Sequence, residues 1–259
     1  MVTSGECFVT RYGMNLLQPL TFTIWFSAAS LIIASRWRVG LISGSAAGLF
    51  YIASRGMSLG RLPLLGPHDT LLLFGVSMAV MGLIVSCSPT MRDARSFKPL
   101  VGVSAGVVIL AALTFKPLNM PLPQILDTLW FELHVVVAFF GYALFVIGGL
   151  LSVLYLLTGI KAYLDVYYKT ALAGWTFFSA SMISGGIWGY YAWGTYWLWT
   201  AKELWTSVLW LFYALVLHVR LKGTRWDTLT AWLGIVGVFV MLFTYMGVSM
   251  MMKSSHSFG

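Results

Sequence analysis

The sequence predicts an all-α protein that crosses a membrane about eight times and forms a single domain over residues 1–259. Of the 259 residues, 59% are hydrophobic and only 9% are charged, and the mean hydropathy is +0.85. Soluble domains carry roughly a quarter charged residues, so this composition excludes an ordinary soluble fold. Apolar runs of about 20 residues, long enough to span a bilayer as helices, recur between charged or Pro/Gly-rich breaks.

Eight candidate spans follow one another along the chain. The second is the shortest, at about 16 residues, and the fifth is long enough to emerge from the bilayer as a helix. The spans are approximately Leu16–Ser35, Val39–Ser54, Asp69–Cys87, Pro99–Phe115, Trp130–Thr158, Thr170–Tyr190, Leu204–Leu221 and Trp226–Met252.

The basic residues predict which side each connection faces. The first residues lack the basic region and cleavage site of a signal peptide, so we expect the first span to be retained. With both termini outside, ten of the 16 Lys and Arg residues fall in inner connections and six in outer ones, as the positive-inside rule requires. The net charge of +8 is therefore a topology signal, because the charges are scattered rather than gathered in a nucleic-acid-binding patch.

An aromatic segment, residues 188–203, is the strongest local signal. Six of the 12 tryptophans lie between Trp188 and Tyr213, and the predicted topology places the segment on the outer face. A membrane-interface belt, which is the alternative interpretation, distributes its tryptophans over many helix ends. The clustering favours a platform for a large flat apolar ligand, with Gly189 and Gly194 allowing close approach of the backbone.

The end of the aromatic segment has the pattern of a helix start. Thr200 and Glu203 match a capping box that opens the seventh span, so Glu203 is interpreted as structural. Lys202 lies beside the aromatic side chains, where it could pair with a ligand carboxylate. A solvated or headgroup-facing lysine is an equal alternative.

Four histidines occur in the chain. His134 lies near the outer start of the fifth span, His218 toward the inner end of the seventh, and His256 in the tail. Ionisable residues inside a membrane are costly and therefore functional candidates, although a hydrogen-bonded structural role is an equal alternative for His218. His134 and His256 share the outer side, and two imidazoles on either face of a macrocycle form a bis-histidyl haem site. Zinc fits poorly without a third ligand. His68, beside Asp69, is interpreted as loop and cap structure.

Together these motifs resemble the CcsA/ResC family of cytochrome c assembly proteins, haem-handling proteins marked by a tryptophan-rich WWD loop. The segment Trp193-Gly194-Thr195-Tyr196-Trp197-Leu198-Trp199, followed by Lys202-Glu203, is similar to that signature. The stretches 62–72, 133–142 and 210–218 and the ending Ser255-His256-Ser257-Phe258-Gly259 also resemble family segments. The resemblance is strongest over 130–259, the expected haem-handling core, and looser over 1–129.

The resemblance implies that His134 and His256 ligate the iron of haem b, and that His218 helps to hold haem in the membrane on its way outward. It also implies a CcsB/ResB-type membrane partner. The two proteins present reduced haem to the CxxCH segment of apocytochrome c, with thiol-reducing proteins acting indirectly. The expected location is the bacterial cytoplasmic membrane with the aromatic segment on the periplasmic side, or the thylakoid. The expected haem contacts are Trp188, Trp193, Gly194, Tyr196, Trp197, Trp199 and Lys202.

One position departs from the family pattern. The family usually reads Trp-Asp-Pro-Lys-Glu, whereas this chain has Trp199-Thr200-Ala201-Lys202-Glu203. Threonine keeps the helix cap and loses the charge, so we expect the fold and haem binding to survive. A role that needs a carboxylate at position 200 is not expected to survive.

The residues predict a binding scaffold rather than an acid–base catalyst. No paired carboxylates lie on one outer surface and no nucleophile–base pair is visible, so membership of a cytochrome c synthase (haem lyase) stays open. The alternatives are haem delivery or export without ligation, as in CcmC-type proteins or a regulator of haem biosynthesis, a b-type electron carrier, and a transporter. A b-type cytochrome needs paired histidines inside the bundle, and only His218 is clearly intramembrane. A transporter needs broken helices with polar midplane residues, and none is convincing.

Overall fold

The structure is a computed structural model that describes residues 21–91 and 94–248, and it has no strand in these ranges. Both termini, with His256, lie outside the described residues. The α-helices are α1 (Thr21–Ala34), α2 (Arg38–Leu59), α3 (Gly66–Ser86), α4 (Phe97–Ala112), α5 (Leu129–Thr158), α6 (Lys161–Trp193), α7 (Ala201–Leu221) and α8 (Asp227–Leu242). A π-helical turn over Phe243–Gly247 continues α8.

Each predicted span corresponds to one of these helices. Within residues 21–91 and 94–248, four helical segments are long and apolar enough to cross a membrane: Gly66–Ser86, Leu129–Thr158, Ala201–Leu221 and Thr224–Gly247. The helices α1 and α4 are apolar but shorter than 18 residues. The all-helical class and the membrane character are therefore confirmed, while the number of crossings and the outward orientation of the termini stay predictions.

Neighbouring helices run in opposite directions, so every connection lies at one of two ends of the bundle. At one end, Arg220 of α7 pairs with Asp165 of α6 at 2.6 Å and with Asp227 of α8 at 3.0 Å. At the other end, His134 near the start of α5 bonds to Ser181 in the second half of α6. We call these the Arg220 end and the aromatic end.

The central helix is α5, which packs most extensively against α6 and also contacts α3, α4 and α8. Lipid is as apolar as leucine, so close packing of small residues is an important source of helix association in membranes. Gly148 of α5 and Gly234 of α8 both face the ring of Tyr167, where an added Cβ would lie 2.8 Å from ring atoms. In contrast, α7 packs mainly against α6 and α8, and its other face is exposed.

The second predicted span is wrong at its C-terminal end. It places Arg55 in an outer connection after Ser54, whereas α2 continues to Leu59 and Arg55 is only 1% exposed. The reason is a bidentate ion pair across the α2–α3 connection, in which the guanidinium lies 2.7 and 3.1 Å from the two carboxylate oxygens of Asp69. An arginine paired in this way can be buried, whereas burying its charge without a counterion would be strongly destabilising.

Candidate functional site

A histidine with a defined tautomer lies at the aromatic end. Thr128 caps α5, and the half-buried His134 follows in the second helical turn. Its Nδ1 lies 2.8 Å from the carbonyl oxygen of Ser181, which can only accept, so Nδ1 carries the proton. The Ser181 hydroxyl donates in turn to the His134 carbonyl at 2.9 Å. In neutral imidazole Nε2 therefore keeps its lone pair, and it has no hydrogen-bond partner within residues 21–91 and 94–248.

An aromatic cluster surrounds this histidine. The indole of Trp188 lies nearly parallel to the His134 ring, with an interplanar angle of 15° and centroids 6.4 Å apart. Its Nε1 donates to the carbonyl of Ile125 at 2.9 Å. Phe131 and Trp193 pack against the same indole with centroids 5.3 and 4.8 Å away. The cluster therefore lines one side of the His134 imidazole with aromatic rings.

Three glycines of α6 shape this region. A Cβ added to Gly185 would lie 2.6 Å from Nδ1 of His134, so only glycine leaves room for the imidazole there. Gly189 approaches the carbonyl of Thr195, which would lie 3.3 Å from an added Cβ. Gly194 has φ 74° and ends the helix as its left-handed cap. Thus close packing accounts for Gly189, and the left-handed backbone of the helix cap accounts for Gly194.

The predicted aromatic segment, residues 188–203, is only partly a loop. The helix α6 continues through Trp193, because the first residue in the left-handed conformation that ends it is Gly194. Residues 194–200 alone connect it to α7, which begins at Ala201. The first six of its sixteen residues, 188–193, therefore extend α6, which places Trp188 and Trp193 on the same helix as Ser181.

The short connection exposes aromatic rings. Tyr196 stacks on Tyr190 with centroids 4.7 Å apart and an interplanar angle of 16°, and both residues are exposed. Trp197 is half-buried, whereas Trp199 is 72% exposed. Trp199 also has φ 59°, the single positive value at a non-glycine residue in the part of the chain that the structure describes. Such backbone strain persists only where its surroundings enforce it.

Glu203 enforces that conformation. Its carboxylate accepts hydrogen bonds from the amides of Leu198 at 3.0 Å and Thr200 at 2.8 Å, on either side of Trp199. The Thr200 hydroxyl accepts from the Glu203 amide at 3.3 Å, which completes the predicted capping box. The structural role predicted for Glu203 is therefore confirmed.

Replacing Glu203 by alanine is expected to free the residues around Trp199. The loss of the cap should cost about 1–2 kcal/mol locally, since both flanking amides lose their acceptor. Hydrogen exchange at Leu198 and Thr200 should accelerate accordingly. Glu132→Ala is the matched control, because Glu132 lies in the first turn of α5 without a side-chain hydrogen bond among the described residues. Unchanged exchange at both amides in the Glu203 variant would contradict this role.

The other two described histidines differ in their available nitrogens. His218 lies on the exposed face of α7, and its Nδ1 donates to the Ala214 carbonyl at 2.7 Å, which leaves Nε2 with its lone pair. His68 is buried in the first turn of α3, not in a loop. Its Nδ1 lies 3.0 Å from the Ala112 carbonyl, and Nε2 lies 3.2 Å from the Tyr51 hydroxyl. Both nitrogens of His68 are occupied, in agreement with its structural interpretation.

The predicted site residues fall into two groups. Trp188 lies beside His134 and Trp193 packs on Trp188, while Lys202 lies in the first turn of α7, directly after the aromatic connection. His218 lies far along α7 toward the Arg220 end, so it belongs to a different place. His256 lies outside the described residues, and its pairing with His134 stays a prediction.

The sequence prediction missed the residues that hold His134. Ser181 and Gly185 lie one helical turn apart on α6, and Trp188 follows three positions later on the same face. A serine, a glycine and a tryptophan at this spacing form one stripe toward α5. Helical periodicity within α6 could therefore have indicated them, whereas the Ile125 carbonyl leaves no signal in the sequence.

These observations define a helical membrane protein with an aromatic-lined histidine site at one end of its bundle. The family model described as cytochrome C assembly protein matches residues 14–256, which is nearly the whole chain. The chain therefore belongs to the cytochrome c assembly protein family.

Curated relatives carry the name cytochrome c biogenesis protein CcsA, which confirms the resemblance. The protein from Chlamydomonas reinhardtii is 30% identical over 77% of this chain and 62% of its own length. The one from Heterosigma akashiwo (strain NIES-293) is 26% identical over 95% of this chain and 92% of its own. The one from Prochlorococcus marinus is 25% identical over 95% of each chain. The chain thus spans less than two thirds of the first relative and nearly all of the other two.

Proposed function

We propose that this protein acts in cytochrome c biogenesis as a haem-binding membrane protein, with haem b as the carried substrate and His134 as an axial ligand. The observation that carries this proposal is the tautomer of His134. The Ser181 carbonyl fixes the proton on Nδ1, and a fixed second nitrogen is how histidine ligands are oriented and made more basic. Neutral imidazole with an available Nε2 is the ligand that haem iron takes.

The surroundings of His134 suit a flat apolar macrocycle. Trp188 and Trp193 supply aromatic surface close to the imidazole, and the exposed rings of Tyr196 and Trp199 extend it along the connection to α7. Aromatic faces favour offset stacking on another π-system. Lys202 supplies a positive charge at the start of α7, suited to a haem propionate. Gly194 and Trp197 belong to the same proposed contact surface.

The other two ligands are inferred from the resemblance to the CcsA/ResC family. His256 is the second outer ligand in this proposal, and His218 holds haem at the Arg220 end before it moves outward. The exposed position of His218 with its lone pair on Nε2 supports a ligand approached from outside this chain. A CcsB/ResB-type membrane partner is proposed to lie on the side from which haem reaches His218. The proposed location is a bacterial cytoplasmic or thylakoid membrane, with the aromatic end on the outer side.

The role of the chain is to hold and orient its cargo. The thiols of the CxxCH segment of apocytochrome c add across the haem vinyl groups, so that each sulfur bonds to one vinyl carbon and its proton goes to the other. His134 sets the depth and tilt of the macrocycle, and the aromatic cluster excludes water from one face. Holding the vinyl groups where the thiols arrive lowers the entropic part of the barrier.

The positions of the described histidines oppose a b-type electron carrier. Such a carrier holds one haem between two histidines at matched depths inside the bundle. His134 lies at the aromatic end and His218 lies toward the Arg220 end, so these two cannot ligate one iron.

Absorption spectroscopy of the purified protein, co-expressed with a neighbouring CcsB-like protein, tests the proposal. We expect low-spin reduced haem bands in the wild type and their loss or alteration in a His134→Ala, His256→Ala double variant. His68→Gln is the matched control, because both ring nitrogens of His68 already have partners within the protein. Identical haem spectra in the wild type and the double variant would reject the outer pair and make His218 the candidate ligand. Absence of haem from every preparation would reject haem binding.

A further inference from the structure

A buried ion pair of α2 and α3 lies at the aromatic end, outside the groups that contact haem in the proposed function. The side chains of Arg55 and Asp69 are 1% and 0% exposed. A buried charge pair costs desolvation energy that its own attraction often fails to repay, so stability alone is a weak reason for its presence. What else the guanidinium contacts indicates its role.

The guanidinium of Arg55 reaches past its carboxylate partner to the α4–α5 connection, residues 113–128. Its Nη2 donates to the carbonyl of Leu118 at 3.1 Å, and its Nη1 donates to Oδ1 of Asn119 at 3.1 Å. Arg61, just after α2, donates to the carbonyl of Met120 at 3.0 Å. Three consecutive residues of the connection are thus held by two arginines.

The composition of the connection explains why it needs these donors. Pro117, Pro121 and Pro123 lack amide hydrogens and cannot continue a helix. No backbone–backbone hydrogen bond joins residues 116–122 to any other residue that the structure describes. Arginine side chains therefore supply the donors that regular secondary structure would supply elsewhere.

The far end of the same connection holds the aromatic cluster. A single 3-10 turn over Gln124–Leu126 carries the Ile125 carbonyl that accepts from Nε1 of Trp188. Trp188 in turn lies parallel to the ring of His134. Hydrogen bonds join Asp69 to Arg55 and Arg55 to Leu118 and Asn119, and residues 120–124 of the same connection then lead to Ile125, which holds Trp188.

We propose that Arg55 and Asp69 are positioning residues for the aromatic site. They hold the α4–α5 connection, and the connection holds the Trp188 indole against His134. The inference rests on the proposed function only in assigning a haem-binding use to the position of Trp188. The position itself can be measured without haem. Asp69 aligns and neutralises the guanidinium, and Arg55 anchors the connection.

Fluorine NMR of the haem-free protein in lipid nanodiscs tests the inference. All tryptophans are replaced by 5-fluorotryptophan, and Trp188→Phe assigns the resonance of interest. In an Arg55→Gln, Asp69→Asn double variant, we expect the Trp188 resonance to shift or split. The resonance of Trp175, whose Nε1 bonds across to the Trp210 carbonyl at 3.2 Å, should stay in place.

A matched control and a milder variant make the result decisive. Asp165→Asn with Arg220→Gln removes the ion pair of the Arg220 end and should leave Trp188 unchanged. Asn119→Ala with Arg61→Gln weakens the anchoring from the surface without touching the buried charges, and should move Trp188 in the same direction. If the buried double variant does not fold, this milder variant decides.

An unmoved Trp188 in the folded variants would overturn the inference, as would an equal movement in the Arg220-end control. Haem binding by the same samples is read separately. A displaced Trp188 with unchanged haem bands keeps the positioning role and removes Trp188 from the proposed haem site. If haem is lost on replacing His134 and His256 while Trp188 is unmoved by the Arg55 and Asp69 changes, the haem-binding function is supported and the positioning role is rejected.

Discussion

Gly185→Ala is expected to weaken haem binding by about 10- to 100-fold, the usual effect of disturbing a group that orients a metal ligand. The added methyl would lie 2.6 Å from Nδ1 and 2.8 Å from Cε1 of His134, well inside van der Waals contact. The ring must rotate, and its hydrogen bond to the Ser181 carbonyl is lost. Nε2 then changes both direction and basicity. Haem titration followed in the Soret band measures the change.

The neighbouring glycine is the control for this prediction. At Gly186 an added Cβ would meet nothing closer than 3.4 Å, the carbonyl oxygen of Tyr196. Alanine is favoured over glycine inside a helix by about 1 kcal/mol, so Gly186→Ala should keep haem binding and raise thermal stability slightly. Equal haem affinity in the two variants would show that the His134 ring is not held as described.

Asp69→Ala is expected to lower the free energy of unfolding by about 3–5 kcal/mol, because it leaves the charge of Arg55 buried without its counterion. The guanidinium is almost fully enclosed, and its remaining contacts, to Leu118 and Asn119, carry no negative charge. Denaturation in detergent, followed by circular dichroism, measures the loss. The double variant Arg55→Gln, Asp69→Asn should be less destabilised, because it removes both charges together.

Asp165→Ala is the corresponding change at the opposite end. The carboxylate of Asp165 is 56% exposed, and Arg220 keeps its second partner, Asp227. Exposed pairs contribute about 0–1 kcal/mol, so this variant should unfold almost as the wild type does. If Asp69→Ala lowered the free energy of unfolding as little as Asp165→Ala does, water would have to reach Arg55, and the burial of the pair would not add to its effect on stability.

Much of the fold could be predicted from local patterns. Each apolar run forms a helix, because hydropathy over about 20 residues reflects the cost of exposing a segment to water. The bounds were predicted less well: α6 begins at Lys161 rather than at Thr170, and α2 ends at Leu59 rather than at Ser54. The Thr200–Glu203 cap formed as predicted, since both partners lie within one helical turn. The errors came where distant residues decide. Arg55 is buried because Asp69 of the next helix neutralises it, and no local pattern around Arg55 contains that information.

Hydropathy and local motifs are enough to predict the helical membrane class, the clustering of aromatics before α7 and the identity of the candidate ligands. Which histidine nitrogens are available is known from the hydrogen bonds: His134 and His218 keep Nε2, whereas Tyr51 and Ala112 occupy both nitrogens of His68. Residue type sets what a group can bind, and neighbours along the chain set its helix. The proton on His134 and on His68 depends on carbonyls brought in from other helices, and only the packed bundle fixes those positions, whereas His218 bonds to a carbonyl of its own helix.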